Sequence, residues 1–92
     1  MRELYSDCQA GVIVMKLPAD HAEDVIVYAF RYALGRTTFA SMVMAETLAS
    51  VWSELSPKTR SLIRREIIDA ISAGHAGQDC DVASWREVLA LP

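Results

Sequence analysis

The tetrapeptide Ser56-Pro57-Lys58-Thr59 constrains the fold of this chain more than any other feature. Proline has no backbone N–H and a φ already near the helical value, so it suits the first position of a helix. A serine just before it can accept a hydrogen bond from a free N–H of the first turn. A helix therefore starts here. Its apolar residues Leu62, Ile63, Ile67, Ile68, Ala70 and Ile71 recur at helical spacing and are expected to face inward, and Gly74 stops it after about Ala73.

The same grammar divides the rest of the chain. Asp20 with Glu23 fits a capping pair at the start of a first helix that ends at Gly35. Ala22, Val25, Ile26, Ala29, Phe30, Ala33 and Leu34 would form its buried face. Thr37 or Thr38 can cap a second helix reaching about Glu54, with Phe39, Met42, Val43, Leu48, Val51, Trp52 and Leu55 as its apolar set. After the loop GHAGQDC, Asp81 can cap a short final helix anchored by Trp85, Val88 and Leu89. The expected fold class is all-α, with three main helices and a short C-terminal one. They form a helical core over residues 20–90 within a single domain, 1–92.

The first 18 residues break this pattern. GVIVMKLP, from Gly11 to Pro18, is a short β-branched run closed by proline, and it predicts an extended or single-strand arm. No second strand is evident, so the arm's backbone needs water, a groove or another copy of itself as partner. Val12, Ile13, Val14 and Met15 are accordingly candidates for a homodimer interface; the alternative is an arm that packs over the chain's own helices.

Charge and composition exclude several classes of function. The balance of 12 acidic against 9 basic residues, a net −3, argues against direct nucleic-acid binding, which needs a basic face. No apolar run approaches the ~20 residues of a membrane span. The charged N-terminus MRELYSD does not resemble a secretory signal, so a cytoplasmic location is expected. Cys8, His21, His75 and Cys80 are zinc-type residues, but only the last two are near in sequence, and no metal or cofactor is expected. Asp79 and Asp81 lack the alternating oxygen ligands of a calcium loop, and Gly74 with Gly77 do not form a phosphate loop. No serine sits in a nucleophile-elbow signature; Cys8 with His21 or His75 is the one conceivable thiol–base pair, and an enzyme is not expected.

Arginines carry the sharper signals. Arg31 lies between Tyr28 and Tyr32 in the most apolar helix of the chain. Buried alone it would cost several kcal/mol, so it must reach solvent, a carboxylate such as Glu46 or Glu54, or another molecule. Tyr28, Arg31 and Tyr32 share the helix side away from Ile26 and Phe30, and tyrosine and arginine are frequent interface hot spots. Two readings follow: an internal bridge between helices, or a contact surface that includes Arg36. Farther on, Lys58, Arg60, Arg64 and Arg65 crowd the first half of the third helix against its dipole. Arg60, Arg64 and Arg65 are thus candidates for binding an acidic partner, unless Arg65 pairs with Asp69 and the others are simply solvated. A DNA-reading helix-turn-helix at this junction is a third possibility.

The segments YAFRYALGRTTFAS, IRREI and CDVASWREVL resemble small uncharacterised helical proteins of bacteriophages and prophages, over roughly residues 23–90. The resemblance implies a host-directed, non-enzymatic inhibitor that binds a host defence protein, with anti-CRISPR proteins that block a CRISPR effector subunit as one such class. It carries no assigned functional residues. A homodimeric structural or regulatory phage protein, and a small DNA-binding regulator, are the alternatives.

Overall fold

A computed structural model describes the backbone of residues 19–36 and 38–92, and the side chains of 22–36 and 38–92. The expected arm, with its candidate dimer residues Val12 to Met15, lies outside the described residues, as do Cys8 and the side chain of His21. Four α-helices follow: α1 (Ala19–Ala33), α2 (Thr38–Val51), α3 (Pro57–Ala73) and α4 (Asp79–Leu89), with a 3₁₀ turn, Trp52–Glu54, after α2. Among the described residues there is no strand.

Ser56 and Pro57 act as their chemistry requires. Ser56 has extended backbone angles and its hydroxyl accepts from the Thr59 N–H at 3.2 Å, while Pro57 opens α3. Gly74 ends that helix in the left-handed region, at φ +76°, with its N–H returned to the carbonyls of Ala70 and Ile71. Gly35, just after α1, is likewise left-handed, at φ +84°, and the next N–H, of Arg36, returns to the Ala33 carbonyl. Gly35 also lies so close to the next loop that a Cβ there would stand 2.7 Å from the His75 carbonyl oxygen. The turn after α1 is therefore wedged against the loop after α3, and only a residue without a side chain fits both demands.

The helices close on one core. Ile26, Phe30 and Ala33 of α1, Leu48 and Val51 of α2, Ile63 and Ile67 of α3, and Trp85 and Val88 of α4 are buried. Phe30 meets Trp85 edge to face, with centroids 5.6 Å apart at 86°. Deleting either ring would cost about 3–5 kcal/mol. The most extensive helix–helix contact is that of α2 with α4, where small residues (Ser41 and Ala45) lie on the buried face of α2. Thr38 touches Cys80, and Ser41 touches Asp81, so both helices start at the same end of the molecule.

The second helical stretch reaches Glu54 as expected, its last turn tightening to 3₁₀ from Trp52, where the Leu55 N–H bonds back to the Trp52 carbonyl at 3.2 Å. Three expectations are corrected. Asp81 is the third residue of α4, not its cap; the helix starts at Asp79, and the Asp81 carboxylate reaches back to the Gln78 N–H at 2.8 Å. Asp20 lies inside α1, which begins at Ala19, rather than before it, and the Glu23 carboxylate accepts from Ser56 and Thr59 at the start of α3. Phe39, Met42, Val25 and Ile68, all expected inside, are exposed. The buried face of α2 is Ser41, Met44, Ala45, Leu48 and Val51, which turns Phe39 and Met42 outward.

Candidate protein-binding surface

The outward face of α1 carries Asp24, Tyr28 and Tyr32 at four-residue steps, with Val25 beside them. These positions lie opposite Ile26, Phe30 and Ala33, so the packing that buries the core face presents the tyrosines to solvent. Tyr28 is 74% exposed and Tyr32 58%; just beyond the turn, Phe39 is 65% and Met42 48% exposed. Among the described residues neither tyrosine hydroxyl has a hydrogen-bond partner. Arg36 completes the row. Its Nε donates to the Tyr32 carbonyl at 3.1 Å and its guanidinium lies 4.3 Å from the centroid of the Tyr32 ring. That bond satisfies a free carbonyl at the helix end and fixes the charge over the aromatic face.

Arg31, at the edge of the same face, points to α3. Its Nε donates to Glu66 Oε1 at 3.1 Å and Oε2 at 3.0 Å, and its terminal nitrogen to Oε2 at 2.6 Å. Glu66, rather than Glu46 or Glu54, is thus its partner, and hydrogen bonding to that carboxylate, with its charge, raises the Arg31 pKa further. Arg31 bridges α1 and α3 while its outer edge stays accessible.

The basic cluster of α3 divides. Arg60 donates to the carbonyls of Trp52 and Leu55, at 3.1 and 2.6 Å. Arg64 donates to the carbonyls of Leu91 and Pro92 at 3.0 and 2.7 Å and lies over the Trp52 ring, 5.2 Å from its centroid. Arg65 is exposed, and among the described residues it forms no ion pair, with Asp69 or otherwise. Arg60 and Arg64 therefore join the 3₁₀ turn and the C-terminus to α3.

Two carboxylates hold helix ends together. Glu23 accepts from Ser56 N–H at 2.7 Å, Ser56 Oγ at 3.0 Å and Thr59 Oγ1 at 2.6 Å, tying α1 to the start of α3. The Thr59 hydroxyl, then the Ser56 N–H, hold its pKa below the usual carboxylate value. Asp81 is 2% exposed and accepts from Ser41 Oγ at 2.5 Å as well as from Gln78 N–H. The Ser41 hydroxyl, followed by that N–H, lowers its pKa against the opposing effect of burial.

A groove of about 420 Å³ runs between α2 and α4, lined by Met42, Glu46, Cys80, Ser84, Glu87 and Leu91 among others. It carries two carboxylates and no basic side chain. Cys80 is exposed, with Sγ 3.4 Å from Thr38 Oγ1, and no histidine lines the groove beside it. Among the described residues no three His, Cys, Asp or Glu side chains converge as a metal site. No described helix is long and apolar enough to cross a membrane.

The structure thus brings Tyr28, Tyr32 and Arg36 together on one open row and turns Arg31, Arg60 and Arg64 toward acceptors within the chain. Apolarity alone places Phe39 and Met42 in the core. The signal for their exposure was the Ser41/Ala45 pair, whose small side chains let α4 approach. These features define a small all-helical domain with an aromatic outer surface. Comparison with protein-family models, curated proteins and solved structures finds no match to this chain.

Proposed function

We propose that this chain acts by binding another protein, through the surface formed by Tyr28, Tyr32, Arg36, Phe39 and Met42. The observation that carries this reading is the exposure of three aromatic rings along residues 28–39, while the other described aromatic side chains, Phe30, Trp52 and Trp85, are buried. Each ring leaves on the order of 100–150 Å² in water. At about 25 cal/mol per Å², covering one contributes roughly 3 kcal/mol, the size of an interface hot spot.

The resemblance to phage-encoded proteins directs the reading to a host defence protein, such as a CRISPR effector subunit, that the chain would occupy stoichiometrically. The net charge of −3 and the Glu46/Glu87 groove suit a basic target surface of the kind that holds nucleic acid. Recognition of DNA through α3 has less support, because Arg60 and Arg64 both donate to carbonyls of this chain.

The test is affinity capture of the tagged chain from a bacterial lysate containing CRISPR effectors, with mass spectrometry of the eluate. A stoichiometric effector subunit is expected, and its loss in Tyr28→Ala/Tyr32→Ala and in Phe39→Ala at unchanged helical content. Recovery of the tagged chain alone, or capture unaffected by those substitutions, would sink the proposal.

A further inference from the structure

The row along α1 has a pattern that its exposure alone does not explain. From one end to the other it reads acid, tyrosine, tyrosine, base: Asp24, Tyr28, Tyr32 and Arg36, each four residues after the last. Among the described side chains the remaining charge on this face, Arg31, is held by Glu66. Among the described residues Asp24 has no partner, and Arg36 uses only Nε, leaving both terminal nitrogens uncommitted. The uncompensated charges are therefore negative at one end of the row and positive at the other, with aromatic surface between.

Such a row is complementary to its own reverse. Resting on the reading of this face as a protein-contact surface, we infer that in the absence of a bound target the α1 row is covered by a second copy of the chain, packed antiparallel about a two-fold axis. With the axis level with Phe30, residues equally far from that point face each other. At 1.5 Å per residue, Tyr28 and Tyr32 lie about 3 Å either side of it and Asp24 about 9 Å toward one end, while Arg36, past the end of α1 and stacked on Tyr32, lies toward the other. Tyr28 of one copy then meets Tyr32 of its partner, and Asp24 meets Arg36, twice over. Positions four residues apart form a ridge inclined about 26° to the helix axis. Two such ridges run alongside each other when the helices cross near −50°. The stacking of Arg36 on Tyr32 places its charge at the end of the ridge, where the partner's Asp24 arrives.

A two-fold contact is closed, so it ends at a dimer. With Val25 and the flanks of Asp24, Arg31 and Arg36, the two tyrosines offer roughly 500–600 Å² per copy. The total, about 1,000–1,200 Å², is the small end of specific interfaces and fits a dimer of micromolar rather than nanomolar strength. Phe39, Met42 and the α2–α4 groove stay outside the row, so a dimer would present them in two copies.

Sedimentation equilibrium of the full chain from about 5 to 500 µM reads the association directly, and charge reversals identify its geometry. Asp24→Arg alone and Arg36→Glu alone should each be monomeric throughout, since each places like charges at both ends of a homodimer. An equimolar mixture of the two should regain the dimer. At one end the introduced arginine of the first variant then faces the introduced glutamate of the second, and at the other end the native Asp24 and Arg36 still meet. Circular dichroism melts confirm that each variant is folded, and Tyr28→Ala gives an independent loss of association without a charge change. A wild-type chain monomeric at the top concentration, singles that still dimerise, or a mixture that stays monomeric would overturn the inference. The two readings separate cleanly. If the wild type is monomeric but Tyr28→Ala/Tyr32→Ala still abolishes effector capture, the second copy is wrong and the contact surface stands; if capture is also unaffected, both fall.

Discussion

Replacing Asp81 tests how the fold is held, because Asn and Ala should have different consequences there. The buried carboxylate accepts from Ser41 Oγ and from Gln78 N–H. In Asp81→Asn the amide oxygen can keep Gln78, and the amide nitrogen can donate to Ser41 Oγ. The Ser41 hydroxyl then turns its proton to the Thr38 carbonyl, already 2.9 Å away. Neither Ser41 nor Gln78 is orphaned; what goes is the charge assistance and the favourable charge in the first turn of α4, together about 1–2 kcal/mol. Asp81→Ala instead leaves the Gln78 N–H without its acceptor, and the cost rises to about 3 kcal/mol. Because a domain of this size shifts its melting temperature about 4–8 °C per kcal/mol, the variants should be separated by several degrees in a circular dichroism melt at pH 7. The pH dependence has a definite sign. The folded-state pKa is lowered, so the stability from Asp81 is full above about pH 5 and is lost as pH falls through the carboxylate range toward that lowered value. Asp81→Asn should therefore flatten the acid limb of the stability curve. Equal destabilisation by Asn and Ala, or an acid limb unchanged in Asp81→Asn, would refute the reasoning.

Three other outcomes follow from the same structure. Gly35→Ala and Gly74→Ala both force alanine into a left-handed conformation, at about 1–2 kcal/mol. Gly35 also meets the His75 carbonyl whereas Gly74 faces open space, so urea denaturation should show Gly35→Ala to be about 1 kcal/mol or more worse. Glu23→Gln should weaken the α1–α3 tie and flatten the acid limb in the same sense as Asp81→Asn, since its pKa is also lowered; acid titration of the double variant should be flatter than either single. The Arg31–Glu66 pair is open to solvent, so Glu66→Gln should move the melting temperature by only a few degrees, and that difference should shrink on adding salt.

How far the fold was legible depended on whether a residue type has one use or several. Proline after serine has essentially one, and α3 begins where Ser56-Pro57 requires. Glycine before a polar turn is nearly as restrictive, and Gly35 and Gly74 end their helices as expected. Asp81 was ambiguous because aspartate serves both as a cap and as a third helical residue reaching back, and the three-residue difference rests on Gln78. The orientation of α2 was the larger difficulty. TFASMVMAETLASV is apolar on most sides, so periodicity does not choose a face. Close packing chose it: burying Ser41 and Ala45 brings α4 near, where a buried Phe39 would hold it away.

The candidate surface was harder to read than the fold, and arginine is the reason. A guanidinium's acceptor is often a backbone carbonyl, and no sequence pattern marks which carbonyls are free. Arg60 and Arg64 sit where the dipole of α3 disfavours them, which in isolation suggests a waiting anion. What they meet instead is the carbonyl-rich end of α2 with its 3₁₀ turn, and the carbonyls of Leu91 and Pro92. Helix ends expose carbonyls that need donors, so basic residues at the start of one helix can complete the ends of others. The residues left for a partner are those whose needs the monomer does not meet. Tyr28 and Tyr32 have free hydroxyls and open rings, Arg36 has two unused nitrogens, and Asp24 has an unpaired carboxylate among the described residues. Asp24, Tyr28 and Tyr32 lie on one row of α1, and Arg36 lies just past its end, over the Tyr32 ring.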